Sequence, residues 1–281
     1  MKWLIPAKTF LLGEYAALAG QSAVLLTTSP CFELSLSKEA GLHGIHPDSP
    51  AGRWWKENAQ SEVGLQWHDP YQGCGGLGAS SAQFLGAYLA SMYLQKRDIQ
   101  QQELLDAYLQ CAWDGEGLRP SGYDVLAQSL RGSVYINRQK TLCQSYSWPF
   151  QDIAFLLLHT GQKLATHQHL QAVVLPSQLN QLTEIVEQAK NSFECSDHRL
   201  LIDAVNTYHQ QLERLGLVAE HSLKLIAGLS ERSDVLAIKG CGAMGADVLL
   251  LIVPQKRQIT FCHQLSMEGW KILATSDDLY I

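Results

Sequence analysis

Residues 73 to 81 read Gly73-Cys74-Gly75-Gly76-Leu77-Gly78-Ala79-Ser80-Ser81, and the fold turns on what this stretch is. It matches G-x-G-x-x-G, and so does Gly240-Cys241-Gly242-Ala243-Met244-Gly245. A dinucleotide site needs a strand, then the glycines, then a helix, with an acid further along. The first loop leads into a helical pattern, and Asp98 stands at a suitable separation, but Trp67-His68-Asp69-Pro70-Tyr71-Gln72 before it is no buried strand. The second loop follows a strand pattern but runs into another, Asp247 to Val253. Neither loop therefore belongs to that fold. The sequence also lacks G-x-x-x-x-G-K-[ST] and the protein-kinase His-Arg-Asp and Asp-Phe-Gly motifs. What remains is local physics. A helix opening at Gly75 to Ser81 offers free N–H groups to an anion, and small residues let a phosphate approach the backbone. The hydroxyls of Ser80 and Ser81 can reach a divalent cation on that phosphate. Standing alone, the same residues would read as a tight turn with serine caps.

Outward from this loop, the preceding chain alternates as antiparallel sheet. Strands are expected at Thr9 to Leu12, Ala23 to Thr28 and Cys31 to Ser37, where Phe32, Leu34 and Leu36 alternate with polar residues. Residues 41 to 72, with Trp54, Trp55 and Trp67, have no clear period and read as an irregular excursion. These tryptophans could wall a base, but such side chains more often pack. After Ser80 the period is helical: Leu85, Leu89, Met92 and Tyr93 share a face, with Lys96 and Arg97 at the C-terminus. A second helix, capped by Asp98, is expected through Leu104, Leu105, Tyr108, Leu109 and Ala112. Pro120-Ser121-Gly122-Tyr123-Asp124 then leads through a short helix or turn to a strand at Ser133 to Ile136. A new unit opens near Gln151 with the apolar strand Ile153 to Leu158 and a polar loop, Thr160 to His169. Three helical stretches follow, then strands at Val235 to Ile238, Val248 to Val253, Ile259 to Cys262 and Trp270 to Leu273. The mixture lacks regular βαβα alternation, so the expected class is α+β in two layers, with domains at 1–150 and 151–281.

Composition narrows the function. The chain has 281 residues, 21 basic and 27 acidic side chains, 46% hydrophobic residues and 17% charge. That composition folds, and with no run of Lys or Arg it carries no broad basic field for nucleic acid or an anionic membrane. Its longest apolar stretches, such as Ile153 to Leu158, are far shorter than the roughly 20 residues of a membrane span. The opening residues lack the layout of a signal peptide, so a cytoplasmic protein, monomer or homodimer, is expected. Seven cysteines without a C-x-x-C pair give neither a disulfide framework nor a zinc site. His167 and His169 form an H-x-H with no third ligand nearby in sequence, which reads as loop histidines rather than a metal site.

Three motifs in fixed order resemble the signature set of the GHMP kinases, the superfamily of galactokinase and of homoserine, mevalonate and phosphomevalonate kinases. Pro6-Ala7-Lys8-Thr9-Phe10-Leu11-Leu12-Gly13-Glu14-Tyr15-Ala16 is similar to P-G-K-x-x-L-x-G-E-[YH]-A. Gly76-Leu77-Gly78-Ala79-Ser80-Ser81-Ala82 is similar to the ATP loop G-L-G-S-S-A. Lys239 to Asp247 is similar to K-x-S-G-A-G-G-G-D, with Cys241, Met244 and Ala246 as departures and Ala7 as another in the first motif. The mevalonate-pathway branch, and phosphomevalonate kinase within it, is favoured by Gly13-Glu14-Tyr15-Ala16 together with Pro120 to Asp124. Thr160-Gly161-Gln162-Lys163-Leu164-Ala165-Thr166, similar to a T-G-x-x-A-S-T substrate loop, points the same way.

The resemblance implies a two-domain α+β GHMP kinase fold, with a ribosomal protein S5 domain 2-like N-terminal domain and a ferredoxin-like C-terminal domain. It implies ATP and Mg²⁺ as cofactors and a small-molecule phosphate acceptor as partner. The preferred acceptor is 5-phosphomevalonate; mevalonate, diphosphomevalonate decarboxylation and a non-catalytic metabolite-binding role are the alternatives. It gives Asp124 the proton-accepting or orienting role and Lys8 the steadying of the transferring phosphoryl. Gly75, Gly76, Leu77, Gly78, Ala79, Ser80 and Ser81 would bind nucleotide. Ser80 aligns without a gap on the serine that touches Mg²⁺, and Ser81 takes over if the alignment slips by one. Asp114 and Glu116 compete as the acidic ligand, with Glu116 preferred. Glu14, Ser121, Gly122, Lys163, Thr166, Gly242 and Ala243 would contact substrate. Lys163, Arg119, Arg138 and Lys239 are the candidate cations for an anionic group, since an acidic chain must gather positive charge at an anion site.

Overall fold

The computed structural model describes residues 1–58, 62–162 and 178–281. Its first sheet is organised by one long strand. β1 (Lys2–Leu12) runs antiparallel to β2 (Ala23–Ser37), with Lys2 opposite Ser35 and Leu12 opposite Val24. The other edge of β2 is shared. β3 (Leu42–His43), α1 (Pro50–Asn58) and β4 (Gly64–His68) follow, and β4 pairs the C-terminal half of β2. Next come α2 (Ala79–Gln95), α3 (Gln101–Ala112), α4 (Tyr123–Ser129), β5 (Ser133–Asn137) and β6 (Leu142–Tyr146), with β5 on the N-terminal half of β2. The result is a six-stranded sheet, β3-β4-β2-β5-β6 with β1 also on β2. Helix α2 buries Phe84, Leu85, Tyr88 and Met92 beneath it, each worth about 1.5–3 kcal/mol of apolar transfer. That burial fixes where the helix begins, and so where the glycine loop points.

β7 (Ile153–His159) opens a second, four-stranded sheet. After it come α5 (Leu179–Cys195), α6 (His198–Arg214), α7 (Glu220–Ser230), β8 (Ala237–Cys241), β9 (Val248–Pro254), α8 (Gln258–Met267) and β10 (Ile272–Thr275). The strand order is β10-β7-β9-β8, all antiparallel. Ile153 to Leu158 and Val248 to Val253 are buried throughout, which is why they are continuous apolar runs rather than alternating ones. The chain end returns to the first sheet, where Tyr280 N–H donates to Thr27 O at 2.8 Å and Gly132 N–H to Tyr280 O at 2.7 Å. Among the described residues no helix is long and apolar enough to cross a membrane.

The α+β class expected from the sequence is the one found, with local corrections. Ile259 to Cys262 is helix, not strand: Phe261 and Leu265, one turn apart, face inward while Ile259 stays 82% exposed. A short apolar run cannot by itself tell the two periods apart. Asp98 does not cap α3, whose N-cap position is Gln100, with no side-chain cap bond. Residues 41–72 are more regular than expected, since they supply α1 and β4. Their tryptophans pack: Trp55 and Trp67 are buried, and Trp54 donates Nε1–H to Ser91 Oγ at 2.9 Å. β6 has no strand signal in the sequence, because Leu142-Cys143-Gln144-Ser145-Tyr146 does not alternate between apolar and polar residues.

Candidate active site

The glycine loop, the Lys8 strand and the Asp124 helix meet around one cavity of about 470 Å³. These three walls follow from local sequence. Gly78 occupies the N-cap of α2 in the left-handed region (φ 75°) and leaves the first turn without a side-chain cap. The N–H groups of that turn are therefore left unsatisfied at the cavity wall, the arrangement that favours an anion. A side chain there would be strained, since the φ is positive and a Cβ on Gly78 would stand 2.8 Å from Lys8 Cε and 3.0 Å from Gln128 Nε2. Ser81 turns inward, its hydroxyl donating to Gly78 O at 3.0 Å. Ser80 is exposed, lines the cavity, and makes no side-chain hydrogen bond to the described residues.

Lys8 is buried in the middle of β1, and its Nζ lies 3.0 Å from Asp124 Oδ1. The ammonium also stands 4.9 Å over the Phe10 ring. Asp124 sits in the first turn of α4, where the helix dipole favours a carboxylate. Its turn is set by Gly122 at φ 75°, where a Cβ would meet Leu105 Cδ1 at 2.3 Å. Ser121 Oγ accepts from Tyr123 N–H at 3.2 Å, and Arg138 Nη1 donates to Ser121 O at 2.7 Å. Burial, with the nearby Asp124 charge, pushes the Tyr108 phenol well above its ordinary pKa, so it stands in the wall as a neutral hydroxyl.

The sequence-derived residues distribute clearly. Lys8, Glu14, Gly75 to Ser81, Ser121, Gly122, Asp124 and Gly242 all line the cavity. The Ala243 backbone lies in the adjoining short turn Ala243–Gly245. Of the two competing acids, Asp114 is on the cavity wall and Glu116 is not; Glu116 is exposed, and its N–H donates to Asp114 Oδ1 at 3.1 Å. Lys163, Thr166, His167 and His169 lie outside the described residues. Lys239 is no surface cation for a substrate: it is fully buried and paired with Glu14 at 3.0 Å. Arg119 and Arg138 line a neighbouring recess of about 360 Å³ rather than this cavity.

Sequence reading missed several members. Gln128 donates to Pro6 O at 3.0 Å and to Gly78 O at 3.1 Å, tying the first motif to the glycine loop. Its signal was available, since it stands one helical turn after Asp124 on the same face. Asp247, Tyr108 and Arg53 reach the wall only through tertiary packing. The donor set suits Mg²⁺, which takes one or two protein oxygens and completes its shell with water and phosphate. Ser80 Oγ and the Asp114 carboxylate are of that kind, and no cluster of three metal-binding side chains occurs among the described residues. An uncapped helix N-terminus, an ammonium and a carboxylate sharing one cavity suit phosphoryl transfer, which asks for positioning and positive charge.

No family model matches the chain, and no curated protein matches it by sequence. Solved structures do match over its length. Streptococcus pneumoniae phosphomevalonate kinase, in complex with phosphomevalonate and AMPPNP, is similar with a TM-score of 0.79 and 16% identity, covering 98% of this chain and 99% of that one. Methanococcus jannaschii mevalonate kinase gives 0.75 at 13% identity, covering 100% and 98%. Lactococcus lactis galactokinase, complexed with galactose, gives 0.76 at 10% identity, covering 98% and 92%. The fold is the α+β fold of these GHMP kinases.

Proposed function

We propose that the chain is an ATP-dependent small-molecule kinase of GHMP type, that its units are residues 1–150 and 151–281, and that its acceptor is 5-phosphomevalonate. The observation that carries the reading is the Lys8–Asp124 pair at 3.0 Å, facing the uncapped start of α2 across one cavity. The shared fold supports it, as do the three motifs. In this reading Gly75 to Ser81 hold the nucleotide phosphates through backbone N–H groups. Ser80 and Asp114 would hold Mg²⁺, which supplies charge neutralisation on the phosphates when bound. An acceptor oxygen attacks the γ-phosphorus, the bond to the β-phosphate oxygen breaks, and ADP leaves. Lys8 offsets the negative charge shared by donor and acceptor, and Asp124 keeps Lys8 in place and orients or deprotonates the attacking oxygen. A phosphate acceptor, with its second pKa near 6, is already largely ionised at neutral pH and needs little base help. The test is ADP release with mevalonate, phosphomevalonate, diphosphomevalonate and homoserine. Turnover with phosphomevalonate is expected; turnover with another of them reassigns the acceptor, and none with any of the four removes the reading.

A further inference from the structure

A buried ion pair crosses between the two sheets behind the cavity wall. Lys239, on β8, has 0% of its side chain exposed, and its Nζ lies 3.0 Å from Glu14 Oε1, whose side chain is 7% exposed. The same ammonium donates to Cys241 Sγ at 3.4 Å and stands 5.8 Å over the Tyr208 ring. Burial works against the charged form of Lys239, yet Cys241 and Glu14 outweigh it and hold its pKa above the ordinary lysine value. Glu14 is also a cavity-lining residue, and its second oxygen, Oε2, is buried without a hydrogen-bond partner.

Stability does not explain this arrangement. A buried ion pair seldom outperforms well-packed apolar residues, and a carboxylate oxygen without a donor is a further cost. Such an oxygen beside a cavity calls for a donor delivered by what the cavity binds. We infer that Lys239 is a positioning residue: through the 3.0 Å ion pair it orients the Glu14 carboxylate so that Oε2 accepts a hydrogen bond from a hydroxyl of the bound acceptor. This rests on the kinase reading above, and it restricts the acceptor to molecules with a hydroxyl besides the group that receives the phosphoryl.

The test compares wild type, Lys239→Arg, Lys239→Met and the double variant Glu14→Gln/Lys239→Met, using the acceptor that wild type turns over. Acceptor and ATP are varied separately, and thermal midpoints are measured alongside. Lys239→Met is expected to raise the acceptor KM about 10- to 100-fold, as for loss of a charge-assisted hydrogen bond, with ATP KM within about two-fold. Lys239→Arg keeps the charge and should recover much of the acceptor affinity. The double variant leaves no unpaired buried charge, so it should regain thermal stability while keeping the raised acceptor KM. It also decides the matter if Lys239→Met fails to fold. An acceptor KM near wild type in the double variant overturns the inference and leaves Oε2 to water. Equal rises for ATP and acceptor overturn it too, as the mark of a purely structural role. If wild type uses no acceptor, the kinase reading falls and this falls with it; wild-type turnover with unaltered variants removes the inference alone.

Discussion

At the scale of single residues, two neighbouring serines differ only in which way they point. Ser81 spends its hydroxyl on Gly78 O, whereas Ser80 faces the cavity. Ser80→Ala should therefore raise the KM for Mg·ATP, while Ser81→Ala should act chiefly through a modest loss of stability, about 0.5–1.5 kcal/mol for one internal hydrogen bond. Steady-state kinetics and denaturant titration of both variants check this; the reverse pattern would move the metal ligand to Ser81. Lys8 and Asp124 touch each other, so their roles separate only by chemistry. General-base help is worth about 10² to 10⁴ in rate, but an ionised phosphate acceptor does not need it. With phosphomevalonate, Asp124→Asn is expected to lose less kcat than Lys8→Met, and its residual activity should rise as pH passes through about 6. Abolished turnover at every pH in Asp124→Asn, with activity kept in Lys8→Met, would instead favour a hydroxyl acceptor.

Among the elements, α6 carries the clearest pH dependence. His209 lies on it, and burial, with Lys239 nearby and despite Glu213, holds its pKa below the ordinary histidine value of 6.5. His159, at the end of β7, is lowered in the same way by burial and by Lys271. When the folded pKa lies below the unfolded one, the unfolded chain takes up the proton first as pH falls. These two groups therefore leave stability intact above about 6.5 and withdraw it progressively below, down to their folded pKa values. Thermal midpoints should drop as pH is lowered from about 7 to about 5, and His209→Gln should flatten part of that slope. An unchanged slope in His209→Gln would show that the helix does not strain this histidine.

Across the whole molecule, helix α5 is tied to the first sheet by a small polar joint away from the cavity. Glu187 of α5 accepts from Ser22 Oγ and from Tyr135 Oη at 2.8 Å, and Asn137 Nδ2 donates to Ser22 Oγ at 2.8 Å. Removing the carboxylate leaves the Ser22 and Tyr135 hydroxyls only each other and Asn137. Glu187→Ala should cost about 1–3 kcal/mol, seen as a lower urea midpoint, with KM values for ATP and acceptor near wild type. A change in KM without a change in the midpoint would mean that the joint governs cleft closure rather than stability.

The α+β class and most of the helices were legible in the sequence, as were Lys8, Glu14, Gly75 to Ser81, Ser121, Gly122, Asp124 and Gly242 on the cavity wall; α1, β4 and β6 were not. Gly75 to Ser81 were legible because a run of small residues opening a helix keeps its physical meaning in any surroundings, whereas Lys8 and Asp124 were legible only through motifs that resemble those of the GHMP kinases. Helix α8 has a strand-like reading because the short run Ile259-Thr260-Phe261-Cys262 fits either period, and only the side of Phe261 and Leu265 that meets the core separates them. The choice between Asp114 and Glu116 at the wall, the inward turn of Ser81 and the withdrawal of Lys239 from any substrate were decided by tertiary structure alone. Lys239 and Glu14 stand 225 positions apart, and no local pattern records that a cation on β8 meets its carboxylate behind the first motif. Burial and pairing of charge depend on what the rest of the chain packs around them, and that information exists only once both sheets have formed.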